Sequence, residues 1–179
     1  RLTGLENKII CYTSHDLVDK IKSYSLSDDV EYIVIDFNDE FGATLKKIKE
    51  IHESDEWKSK FPERALALPD YSIPEYVTVT NQKVWFVQDA IERGLVTTEW
   101  AGWIDFGFVR EDETLADTFV FNTTWNDNKI HLFTRASLKS ANIKTLSHAI
   151  FGGHDYIMGG SILGKKEVWR PFKDLYYKE

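Results

Sequence analysis

The stretch NKIICYTSHDLVDKIKSYSLSDDVEYIVIDFND, Asn7 to Asp39, holds two short apolar runs with a helical segment between them. The first run ends in Thr13 and Ser14 and has the length and closing turn formers of a buried strand. Thr13 or Ser14 can cap a short helix that places Leu17, Val18 and Ile21 on one face. The second run is β-branched and leads into Asp36, Asn38 and Asp39. From Phe41 onward, Leu45, Ile48 and Ile51 recur at helical spacing, with lysines and glutamates between them. This β-α-β-α order predicts an α/β fold built on a mixed, mostly parallel sheet flanked by helices. Ligands of such sheets bind beyond the carboxyl ends of the strands, which directs attention to Thr13, Ser14, Asp36, Asn38 and Asp105.

Further along, FPERALALPDYSIPEYV (Phe61 to Val77) carries three of the four prolines and reads as irregular. VTNQKVWFVQDAIERGL (Val79 to Leu95) reads as one helix ended by Gly94, with Val84, Val87 and Ile91 on its core face and Phe86 and Ala90 beside them. Lys83 lies along that apolar side. Its ammonium either snorkels to solvent or meets a partner in a cleft. ADTFVFNTTW and KIHLFTR flank Asn126 to Asn128 as a hairpin. The last segment places Val168, Trp169, Phe172, Leu175 and Tyr176 at helical spacing, with Pro171 tolerable only near the first turn.

With 179 residues, the chain has the length of one domain, and its 6 Trp, 8 Tyr and 11 Phe supply a core. A net charge of -7 and the lack of a basic run disfavour nucleic acid and anionic membrane surfaces as partners. No apolar run is long enough for a transmembrane segment, and no signal peptide is visible. The single cysteine, Cys11, reads as a buried thiol in a reducing compartment. The chain opens on Arg1 and enters a strand almost at once, as a fragment or processed form would.

Two constellations could carry chemistry. In WAGWIDFG (Trp100 to Gly107), a strand ends in Asp105, whose oxygens would serve a divalent cation or a sugar hydroxyl, or cap a turn. Gly107 would allow close approach of backbone or ligand. In HDYIMGGSILG, Gly159 and Gly160 interrupt a strand-like run before Ser161, which marks either a bulge or a place where a ligand lies against backbone. His148 and His154 have no familiar metal-binding spacing, and the neighbours Ser14, His15 and Asp16 cannot form a hydrolase triad. No phosphate loop, nucleophile elbow or dinucleotide fingerprint is present.

Taken together, PEY (Pro74 to Tyr76), Lys83, WIDFGFVR (Trp103 to Arg110), IMGGSILG (Ile157 to Gly164) and the aromatic carboxyl end resemble the bacterial HtrL/YibB family. Its members are associated with lipopolysaccharide or capsule loci and look like glycosyltransferases of the GT-A type. The resemblance implies a single GT-A-like domain over residues 1–179, lacking its first strand, that takes a nucleotide-sugar donor and a glycan or glycolipid acceptor. It implies a cytoplasmic protein with peripheral contact at the inner membrane face. Asp105 would hold Mn2+ or Mg2+ as the only carboxylate of the motif, because Phe106 and Gly107 follow it, and Lys83 would stabilise the leaving diphosphate. Asp155 would deprotonate the acceptor. Gly107, Gly159, Gly160 and Ser161 would line the sugars, with Tyr76 or Trp103 as a stacking surface. Rival readings are a non-catalytic carbohydrate- or protein-binding module and a nucleotidyltransferase on a related sheet.

Overall fold

The computed structural model describes residues 5–24, 29–106, 125, 128–134 and 157–178. Strand β1 (Ile9–Thr13), helix α1 (Val18–Lys22), strand β2 (Val30–Val34) and helix α2 (Phe37–Glu53) follow one another as the hydrophobic pattern predicts. The two strands pair in parallel from Ile9 with Val30 to Thr13 with Val34. Asp36 begins α2 by accepting hydrogen bonds from the amides of Asn38 and Asp39 at 2.9 and 3.1 Å, so it caps a helix. The residue before α1 is Leu17, and no side chain caps that helix, which corrects the expectation for Thr13 or Ser14. Cys11 is half-buried rather than buried, and that partial burial pushes its thiol up.

The proline-rich middle is helical, and this is a correction. After α3 (Asp55–Lys60), helices α4 (Glu63–Leu66), α5 (Pro69–Ser72) and α6 (Pro74–Asn81) run through it. Pro69 and Pro74 stand in the first turns of α5 and α6, and Pro62 precedes α4. At those positions proline's missing N–H has no helical partner to lose, so it starts a helix rather than breaking one. The helix expected over Val79 to Leu95 is two helices, α6 and α7 (Lys83–Glu92), divided at Gln82. Gly94 closes α7 with φ +73°. Its amide bonds Ile91 O and the Leu95 amide bonds Ala90 O, each at 3.0 Å, which is the Schellman pattern.

The second half departs from the mostly parallel expectation. Strands β3 (Trp100–Ile104), β4 (Ile130–Thr134) and β5 (Ile157–Lys165) form an antiparallel sheet in the order β3-β5-β4. The described strands are thus mixed, a parallel pair and an antiparallel triplet. An apolar run of five residues states burial but not the direction of its neighbour. The expected first hairpin strand, Ala116 to Trp125, lies almost wholly outside the described residues.

Helix α8 (Lys166–Tyr176) and α7 pack on the antiparallel sheet, where Val84, Val87, Ala101, Ile162 and Trp169 form one buried cluster. Trp169 is fully buried, and its indole N–H donates to Gly164 O at 3.3 Å. That anchor holds α8 although Pro171 stands inside it, well past the first turn where the sequence reading allowed it.

Gly102 marks a close approach of β3 to β5: a methyl there would stand 2.9 Å from Ile162 O and 2.9 Å from Leu163 Cδ1. Gly102→Ala is therefore expected to lower stability in urea by about 1–3 kcal/mol. Gly42→Ala, in α2 with no atom within 4 Å of the new methyl, should raise it by about 0.5–1 kcal/mol. Equal midpoints for the two variants would contradict this packing.

Candidate functional site

Helix α7 ties the two halves together through Phe86. Its ring lies 4.9 Å from Tyr12 of β1, 5.6 Å from Phe41 of α2 and 5.6 Å from Trp103 of β3, stacked on the last at 23°. Tyr12 then donates its hydroxyl to Asp89 Oδ2 at 2.6 Å, and Arg93 Nε bonds the same oxygen at 2.6 Å. Burial, followed by the hydrogen bond to Asp89, pushes the Tyr12 phenol far above its ordinary value. The first residue of α7 is thereby fixed against the end of β3.

That first residue is Lys83. Its ammonium lies 2.8 Å from Asp105 Oδ1 and 3.0 Å from Asp105 Oδ2, and it donates to Gly159 O at 2.8 Å. Trp103 donates its indole N–H to Asp105 Oδ1. The Asp105 amide is held in turn by Gly160 O at 2.9 Å. The side chain of Lys83 is 10% exposed and that of Asp105 38%, so the lysine stands behind the carboxylate and the carboxylate meets solvent. Of the two outcomes open to Lys83, the structure gives the one with a partner.

The Gly159 carbonyl is available because β5 is bulged there. Leu132 pairs with Ile162 and the next residue, Phe133, pairs with Met158, so Gly159, Gly160 and Ser161 have no counterpart on β4. A bulge frees backbone groups from one ladder and re-aims them. The added methyl of a Gly159 substitution would approach the Lys83 ammonium at 3.8 Å. Gly159 is exposed, Gly160 is half-buried, and Ser161 is buried, with Ile104 as its ladder partner.

The other residues singled out from sequence fall in different places. Trp103 has one face against Phe86 and its N–H on Asp105, which makes it a support for the carboxylate. Tyr76 is exposed on α6, on the other side of the Gln82 break from Lys83. Gly107 and Asp155 lie outside the described residues. Sequence reasoning missed Tyr24, whose ring lies 6.3 Å from Phe106, each ring 49% exposed. The available signal was an aromatic residue placed directly after a strand-end carboxylate.

The donor set tests the fit of a divalent cation. Asp105 is one carboxylate, its oxygens already face an ammonium and an indole N–H, and no group of three metal-ligating side chains exists among the described residues. Mg2+ can be held by one carboxylate with waters, so the misfit lies in the Lys83 ammonium, 2.8 and 3.0 Å from the two oxygens, which repels a second cation. The described residues do not fit the ion.

A family model described as "Bacterial protein of unknown function (HtrL_YibB)" matches residues 1–179. Protein HtrL of Escherichia coli (strain K12) is 33% identical over 176 residues, which cover 98% of this chain and 62% of that protein. The chain therefore spans less than two thirds of the length of this curated relative. No solved structure matches.

Because Lys83 is the more buried partner, the two halves of the ion pair should differ in cost. Asp105→Ala strands a desolvated ammonium and is expected to cost about 2–3 kcal/mol, while Lys83→Met leaves a carboxylate that water can reach and should cost about 1 kcal/mol. Urea denaturation of both variants measures the order, and a larger loss for Lys83→Met would contradict the arrangement.

Proposed function

The chain belongs to the HtrL_YibB family of bacterial proteins, and from that premise we propose that it is a glycosyltransferase moving a sugar from a nucleotide-sugar donor to a surface-glycan acceptor. The observation that carries this reading is the Asp105 carboxylate, held by Lys83 and Trp103 on its buried side and open to solvent on the other. An ionised carboxylate fixed in this way is a strong acceptor for hydroxyl hydrogen bonds, the groups a sugar offers in number. The half-exposed rings of Phe106 and Tyr24 beside it supply an apolar surface of the kind that covers a sugar face or a base.

In the proposed reaction an acceptor hydroxyl oxygen bonds to the anomeric carbon. The bond from that carbon to the phosphate oxygen breaks, and its electron pair leaves with the nucleotide. Asp105 orients the sugar by its hydroxyls. In an inverting transfer, Asp155 takes the acceptor proton. Gly159 offers exposed backbone on the bulge beside the half-buried Gly160, and Ser161, Tyr76 and Gly107 remain part of the proposed sugar-binding set. The inward placement of Lys83 favours holding Asp105 over touching the leaving diphosphate. No step is routed through a metal ion. A carbohydrate-binding module that performs no transfer is the second reading, favoured by the same contact, because both Asp105 oxygens already face Lys83.

Calorimetry of the full-length protein against UDP-, GDP-, CMP- and dTDP-sugars tests the proposal. One nucleotide class should bind, and Asp105→Asn should weaken it by about 10- to 100-fold, the worth of one hydrogen bond to a charged group. Release of free nucleotide in the presence of a glycan acceptor then separates transfer from mere binding. If no nucleotide sugar binds while a glycan does, the transferase reading falls.

A further inference from the structure

We propose that Lys83 is the resident cation of the Asp105 site, so that ligands bind there without a divalent metal ion. The inference rests on the glycosyltransferase reading for the identity of the ligand, but its charge argument stands on geometry alone. Asp105 has a positive partner, and this chain supplies it covalently as Lys83.

Three observations converge on Lys83. Its ammonium spans both Asp105 oxygens at 2.8 and 3.0 Å, the positions that a cation held by this carboxylate would share. A third oxygen, Gly159 O at 2.8 Å, completes a small oxygen cradle around the nitrogen. That carbonyl reaches it because the bulge at Gly159 to Ser161 releases it from pairing with β4. The Trp103 ring, 5.9 Å from the ammonium, adds an electron-rich neighbour that favours a cation. Two carboxylate oxygens, a carbonyl and an aromatic ring around one buried nitrogen make a cation site that is already filled by the chain.

A second positive charge at this point would have to displace Lys83, whose side chain is only 10% exposed, from the oxygens that satisfy its ammonium. Like charges at contact distance in a partly desolvated site repel by several kcal/mol at an effective dielectric constant of about 20. The site therefore selects against Mn2+ and Mg2+ while leaving the outer edge of Asp105 open to hydroxyl donors.

Titration with Mn2+ alone, following the free ion by its electron paramagnetic resonance, tests this on the full chain stripped by chelator. Native protein and Asp105→Asn should bind Mn2+ alike, because any binding lies elsewhere. Lys83→Met, which frees the carboxylate, should bind Mn2+ about tenfold more tightly than native. A native Mn2+ site that Asp105→Asn removes, or equal affinities in native and Lys83→Met, would overturn the proposal. For any nucleotide sugar that binds, affinity should stay within about twofold with and without chelator, less than half a kcal/mol; a donor that binds only with added Mn2+ would also overturn it. Failure of every donor to bind would count against the transferase reading, and the Mn2+ titrations would still decide this one.

Discussion

The ion pair between Lys83 and Asp105 is the contact on which the rest of the site depends. It joins the first residue of α7 to the residue that follows β3, and through Gly159 O it joins both to the bulge of β5. Three segments far apart in sequence are thereby fixed within hydrogen-bonding distance of one nitrogen. A lysine this buried requires partners for its donors, and each partner is itself held: Asp105 by Trp103 N–H and by its own amide on Gly160 O, Gly159 by the bulge. The outcome is a carboxylate with one supported edge and one open edge.

The aromatic stack behind the pair explains why the pair can form. Phe86 is one turn along α7 from Lys83, and its contacts with Tyr12, Phe41 and Trp103 bring the parallel and antiparallel halves onto the same helix. Moving α7 along its axis would break those ring contacts and the salt bridge together. Packing and electrostatics therefore specify one position, and the same Trp103 serves both, with its face on Phe86 and its N–H on Asp105.

Much of the first half was legible because its pattern is local. The apolar runs at Ile9 and Val30 and the helical spacing of Phe41, Leu45 and Ile48 each report a single element, although the two strands expected to be buried are almost wholly half-buried and only Phe41 and Leu45 of the helix are buried. The core face of α7 was readable at Val84 and Val87, as was Gly94 at its end; Ile91 is only partly buried, and Ala90, read as lying beside that face, is buried. The prolines of the middle misled because proline both breaks helices and starts them, and only its position within the first turn decides which. Strand direction in the second half was not legible, since neither WAGWI nor the run from Ile157 states which way its partner runs. For the site, sequence brought Lys83, Asp105 and the double glycine forward as candidates. That the lysine stands behind the carboxylate, and that Trp103 supports it, depends on the placement of Phe86 and on a three-residue slip in the β4–β5 register. Such a slip leaves only a pair of glycines as its trace in the sequence.

On the proposed function, ligands would engage the open edge of Asp105. The indole N–H of Trp103 shares Oδ1 of that carboxylate with Lys83, so its nitrogen-15 NMR resonance reports directly on any group that binds there. During titration with nucleotide sugars, this resonance should shift in step with ligand binding, and the shift should be lost in Asp105→Asn. Saturating binding that leaves the Trp103 indole resonance unmoved would contradict it.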